Sequence, residues 1–160
     1  MARGHIYEIT DNPSAYPLGY MYADELSQFC GQEFEYAEDY KELNPYHNTS
    51  IMDILARHGF NPKITIHPYD NDETCLCFTA TKCGKESYFK SRFETLQNVI
   101  KDMTLEEFTN SETKTIIQNL VDNPYEDAVY FNTSFYTFDT FMRDIEPGKD
   151  YYIGNICYMS

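Results

Sequence analysis

Apolar and polar residues alternate with a period of two over Gly4–Thr10 (GHIYEIT), where Ile6 and Glu8 fall opposite His5, Tyr7 and Ile9. That period belongs to a strand. Lys63–His67 (KITIH) repeats it. After Pro68–Glu73 (PYDNDE), read as a charged turn, Thr74–Lys82 returns as the second strand of a hairpin. Within it Cys75–Thr81 is a nearly uncharged run suited to burial on both faces. Ala128–Asn132 and Tyr151–Tyr158 read as two further strands.

Beyond Gly84, expected to permit a turn, Phe89, Phe93, Leu96, Ile100 and Met103 recur at i, i+4, i+7, i+11 and i+14, one stripe of a helix. Strand and helix together, Thr74–Met103, are the expected organising unit, with Phe93 and Leu96 in the core. A short helix is expected over Tyr22–Cys30, ended by Gly31, and a second over the acidic stretch Gln32–Leu43. Asn48, Thr49 or Ser50 should cap a third, Ile51–His58, which Gly59 ends. Thr104 and Glu107 form a capping-box pattern, and a helix over Glu112–Val121 is stopped by Asn123-Pro124. Ser134 is the expected cap of a last helix with Phe135, Phe138, Met142 and Ile145 inside. No repeat or linker divides the chain. The order of elements predicts one α+β domain over residues 1–160, with about five mostly antiparallel strands and helices packed on the sheet.

Composition adds two constraints. A chain of 160 residues can bury about 70% of its unfolded surface, so folding needs no disulfide or metal. Its core must draw on 15 Tyr and 11 Phe without Trp, so buried rings bring hydroxyls that need partners. Twelve Lys+Arg against 26 Asp+Glu leave a net charge of −14. Such a surface steers basic partners and argues against direct binding of nucleic acid or anionic membrane. No apolar run approaches the ~20 residues of a transmembrane helix, and Met1–Thr10 lacks the apolar region of a signal peptide. The five cysteines, an odd number outside any secretory context, are expected as free thiols in a reducing cytoplasm.

Candidate chemistry is sparse. His67, Cys75, Cys77 and Cys83 give H-x7-C-x-C-x5-C, and two thiols two apart on a strand share a face. Structural zinc sites draw their pairs from knuckles spaced C-x2–4-C, so buried hydrophobic thiols are the better reading. Cys83, beside Lys82 and Lys85, is the one thiol in an electropositive setting, but nothing around it supplies an oxyanion hole. Asp70-Asn71-Asp72-Glu73 lacks the central Gly and distal Glu of a calcium loop. Phosphate-binding, zinc-protease and nucleophile-elbow motifs are missing. No metal, cofactor or catalytic residue is assigned, and a role other than enzyme is favoured. Lys82, Lys85, Lys90, Arg92 and Lys101 read as a solvated basic helix face between acidic neighbours.

Acid and tyrosine together form the remaining constellation: Glu33, Glu35, Tyr36, Glu38, Asp39, Tyr40 and Glu42, with a second patch at Asp70, Asp72 and Glu73. Spaced carboxylates can stand where phosphates would stand in a cationic groove, with tyrosines as anchors. In size and charge the chain is similar to small acidic proteins of phages and mobile elements that block host restriction or CRISPR nucleases by imitating nucleic acid. That resemblance implies a cytoplasmic binding protein whose partner is a basic protein or the nucleic-acid-binding groove of a host protein. The alternatives are a small enzyme or ligand-binding module with a Tyr/Phe-lined pocket, and a structural subunit that self-associates through exposed rings.

Overall fold

In the computed structural model, residues 4–19, 21, 23–31, 37–39, 48–123 and 127–159 are described, with the backbone alone at 37–39, 48–50, 70, 73, 158 and 159. The elements run β1 (Gly4–Thr10), α1 (Ala23–Leu26) continued by a 3-10 turn at Ser27–Phe29, β2 (Ala37–Asp39), α2 (Asn48–Arg57), β3 (Lys63–His67) and β4 (Asp70–Thr79). They continue through α3 (Lys82–Lys101), α4 (Leu105–Phe108), α5 (Ser111–Val121), β5 (Ala128–Phe131), β6 (Ser134–Thr137), α6 (Phe138–Asp144) and β7 (Asp150–Met159). The fold is α+β. One mixed sheet of order β3-β4-β7-β1-β5-β6 carries helices on it, and all its pairs are antiparallel except β1 with β5.

β7 is the strand that joins the halves. β1 lies along one of its edges, while β4 (at Asp150–Ile153) and β2 (at Cys157–Met159) share the other. The alternation read in β1 divides two cores. Tyr7 and Ile9 face the larger, with Ile51 and Leu55 of α2, Phe78, Phe141, Met142 and Ile153. Ile6 faces the smaller, with Met21, Leu26, Ala128 and Cys157. Across the larger core runs a chain of ring contacts, Phe60–Phe78–Tyr151–Phe141–Phe131, with centroids 5.8, 5.4, 5.6 and 5.4 Å apart. The hydroxyls of Tyr7, Tyr88 and Tyr151 find partners, as a Trp-free core requires. Tyr7 donates to Asp127 at 3.0 Å, Tyr88 donates to Asp139 at 2.8 Å, and Tyr151 accepts from the Glu146 N–H at 2.9 Å.

Several expectations are corrected. Two strands beyond the expected five are present among the described residues. Ala37–Asp39, expected as helix, is β2, because pairing with β7 satisfies its backbone; the rest of the predicted helix lies outside the described residues. Ser134 opens β6, not a helix. Asn132 and Thr133, at φ 47° and 69°, make a two-residue hairpin turn of the left-handed kind, and Thr137 caps α6. The β3–β4 turn is only Pro68–Tyr69; Asp70–Glu73 belongs to β4. Residues 48–50, expected to cap α2, lie within it. Gly84 makes no turn either. It sits in the first turn of α3, where a Cβ would come within 2.7 Å of the Phe60 ring.

The largest correction concerns α3. Its first turns do reach the core, through Tyr88 and Phe89. Beyond the Arg92–Asp139 bond to α6 it packs beside α5, and Phe93 and Ile100 are 59% and 57% exposed. Leu96 is half-buried. The periodic stripe is real but most of it faces solvent. β4 and β7 hold the centre instead, with Cys75, Leu76, Cys77 and Phe78 buried in sequence as expected.

Candidate functional site

The acidic residues singled out in the sequence fall into three groups. Glu33, Glu35, Tyr36, Tyr40 and Glu42 lie outside the described residues. Glu38 and Asp39 are in β2, opposite Tyr158 and Cys157 of β7. Asp70, Asp72 and Glu73 are in the first half of β4, before Leu76 pairs with Ile153 of β7. Because β1 takes the far edge of β7 along its length, β2 and β4 necessarily share the near one. Only the Leu76–Thr79 end of β4 pairs with β7, so Asp70–Glu73 precede that stretch and are tied to β3 through the His67–Asp70 pair. The register of β4 against β3 shifts between Ile66 and His67, and the unmatched residues, Asn71–Glu73, include two of these acids. A bulge of this kind bends a strand and re-aims its side chains. Asp72 is exposed there.

Glu8, Asp139 and Asp127 were not singled out by sequence, are buried or half-buried, and are committed to the fold. Glu8 is 5% exposed and accepts backbone N–H bonds from Gly19 (2.6 Å), Met21 (2.8 Å) and Asn155 (3.0 Å). Gly154 leaves room for it, since a Cβ there would lie 2.2 Å from Glu8 Oε1. Asp139, 2% exposed, accepts from Tyr88, Arg92 and the Asn123 N–H. Arg92 also lies over the Tyr88 and Phe89 rings at 4.8 and 5.0 Å. Burial works against its charge, but the Asp139 bond together with the nearby charges of Tyr88 and Asp139 outweighs this and raises its pKa. Lys85 donates to the carbonyl of Arg143 at the end of α6. Arg92 and Lys85 thus pin the base of α3 to α6, which corrects the reading of them as solvated. Asp127 accepts from the backbone N–H of His5 (2.9 Å) and from Tyr7, tying β1 to the entry of β5.

All five cysteines are free thiols. Burial, reinforced by Cys77, pushes the Cys75 thiol up to about 11, so it stays protonated at neutral pH and makes a poor nucleophile or metal ligand. Cys77 is raised by burial as well. His67 Nδ1 accepts from the Tyr69 N–H at 3.2 Å, and Cys83 is exposed at the start of α3. Among the described residues no three His, Cys, Asp or Glu side chains gather as a metal would require. Phe131, Tyr136, Phe141, Asp144, Ile145 and Tyr151 line a crevice of about 70 Å³. That suits water more than a ligand of the ~300 Å³ class. Among the described residues no helix is long and apolar enough to cross a membrane. The chain matches no protein-family model, no curated protein and no solved structure.

Proposed function

We propose that the chain is an acidic protein-binding module whose partner presents a basic groove of the kind that nucleic-acid-binding proteins offer. The observation that supports this reading is the net charge of −14, with Glu38–Asp39 on β2 and Asp70–Glu73 on β4, two strands that pair with the same edge of β7. Spaced carboxylates on such a surface suit a groove that holds phosphates at regular spacing. The finer form of the proposal is imitation of nucleic acid to inhibit a host nuclease or defence complex. Free thiols and the lack of a stapled fold fit work in the cytoplasm. The 70 Å³ crevice gives no comparable support to a small-molecule function.

The test is capture of partners from host lysate on immobilised protein. A basic nucleic-acid-binding protein should be retained, released by heparin or duplex DNA, and released earlier as salt rises. Asp39→Lys with Asp70→Lys and Asp72→Lys should abolish retention. Glu94→Lys with Glu106→Lys and Glu112→Lys, an equal change in net charge on the α3–α5 segment, should not. Retention indifferent to polyanion and to both triples would end the proposal.

A further inference from the structure

The segment Lys82–Val121 is electrically unlike the rest of the chain. Lys82, Lys85, Lys90, Arg92, Lys101 and Lys114 balance Glu86, Glu94, Asp102, Glu106, Glu107 and Glu112, so its net charge is zero and the other residues carry the full −14. It is also where apolar surface is left open. Among the described residues, six of the ten exposed large hydrophobics are here: Phe93, Ile100, Leu105, Phe108, Ile116 and Val121. Beyond Gly84 no residue of α3, and none of α4 or α5, is buried. α3 and α5 pack on each other as a helical hairpin, with Leu96, Val99 and Leu120 half-buried. Two helices alone make a single layer, which cannot cover both of its faces.

We propose that a second copy of this chain covers that face, the two hairpins packing across a two-fold axis as a four-helix bundle. Phe89, Phe93, Leu96, Ile100 and Met103 follow the 4-3-4-3 spacing of a coiled-coil seam. α5 shields the Leu96 side of that seam, and Phe93 and Ile100, two turns apart on one face, are left for the partner. Charge selects the occupant. A basic partner is drawn to the acidic body, and a neutral arm has nothing to steer it with. Two bodies of like charge repel, so copies meet at least cost where the charge is balanced. α3, 20 residues long, measures about 30 Å, several Debye lengths at physiological salt, so joining through the arms keeps the bodies apart. The contact is isologous, each arm meeting its own copy, and so closes at two.

This inference is independent of the acidic-edge reading, and salt separates them: self-association tightens as body-to-body repulsion is screened, whereas a basic partner is lost. Sedimentation velocity of the whole chain from micromolar to submillimolar concentration should give a monomer–dimer equilibrium whose dissociation constant falls as salt rises. Phe93→Glu with Ile100→Glu should weaken the dimer at least about tenfold without changing the circular dichroism of the monomer. Should that pair fail to fold, Phe93→Gln with Ile100→Gln carries the same expectation. Ile64→Glu with Ile66→Glu, on the exposed edge strand β3, should leave the dimer intact. A monomer at every concentration and salt would overturn the proposal. So would a dimer lost through the β3 pair and kept through the α3 pair.

Discussion

Glu8 illustrates how a single residue is read differently in sequence and in space. In GHIYEIT it is the polar member of an alternating strand, the position that ordinarily meets water. It is buried because the register of β1 on β7 slips between Tyr7 and Ile9, which brings the Asn155 N–H to it, and because Gly19 and Met21 close over it. Neither cause is visible within seven residues of strand. Other titratable residues set the pH response. Burial pushes the Asp127 carboxyl up, but bonds from the His5 ring and backbone and from Tyr7 outweigh it and hold it below its ordinary 3.8. For Asp11, burial is likewise outweighed, by Asn132 and Lys149. Burial, then Arg57 and Arg92, hold the His58 imidazole below its ordinary 6.5. In all three cases the unfolded chain takes up the proton first as pH falls, so each lowers stability in acid. The melting temperature should begin to drop below pH 6.5 through His58 and drop again below 3.8 through Asp11 and Asp127. His58→Gln should remove the upper step only. A melting temperature level through both ranges would contradict the argument.

At the scale of elements, legibility followed the source of each signal. β1 and β3 were found to the residue because alternation is written locally. The capping box of α4 was found for the same reason, with Thr104 N–H to Glu107 at 2.7 Å and Glu107 N–H to Thr104 at 3.2 Å. β2 was missed because its acids fit a helical period and only β7 makes them a strand. β6 was missed because Asn132-Thr133 lacks the glycine that usually announces such a turn; Asn132 is instead held by Thr10 and Asp11, both at 2.8 Å. Of the candidate site, the two acidic patches were legible as composition, but that β2 and β4, the strands that carry them, pair with the same edge of β7 follows from topology alone. The stripe on α3 was legible as amphipathic, yet periodicity does not say what the apolar face meets. This gives a mutational contrast. Phe78→Ala, which empties a fully buried site, should cost about 3–5 kcal/mol. Phe93→Ala, at 59% exposure, should cost under about 1 kcal/mol in dilute, monomeric protein. Equal losses in urea titrations of the two variants would return Phe93 to the core.

For the whole molecule the governing quantity is the uneven charge. The expected radius of gyration of a 160-residue domain is about 15 Å. At ~0.01 M salt the Debye length is ~30 Å, so every carboxylate of the body feels the others; at ~0.15 M it is ~8 Å, and only neighbours interact. Unfolding separates these charges, which makes their repulsion a cost of the folded state. Addition of sodium chloride should therefore raise the melting temperature, steeply at first and with little further gain above ~0.5 M, where screening is nearly complete. Dimer formation would also raise it with salt, but only in a concentration-dependent way. The measurement therefore belongs at a dilution where the melting temperature no longer depends on protein concentration. A flat or falling curve there would mean that the 20 acids outside Lys82–Val121 lie too far apart for their repulsion to weigh on the fold. The long-range steering on which the proposed binding relies would then lose its physical basis, because a field too weak to strain its own fold is too weak to draw in a distant partner.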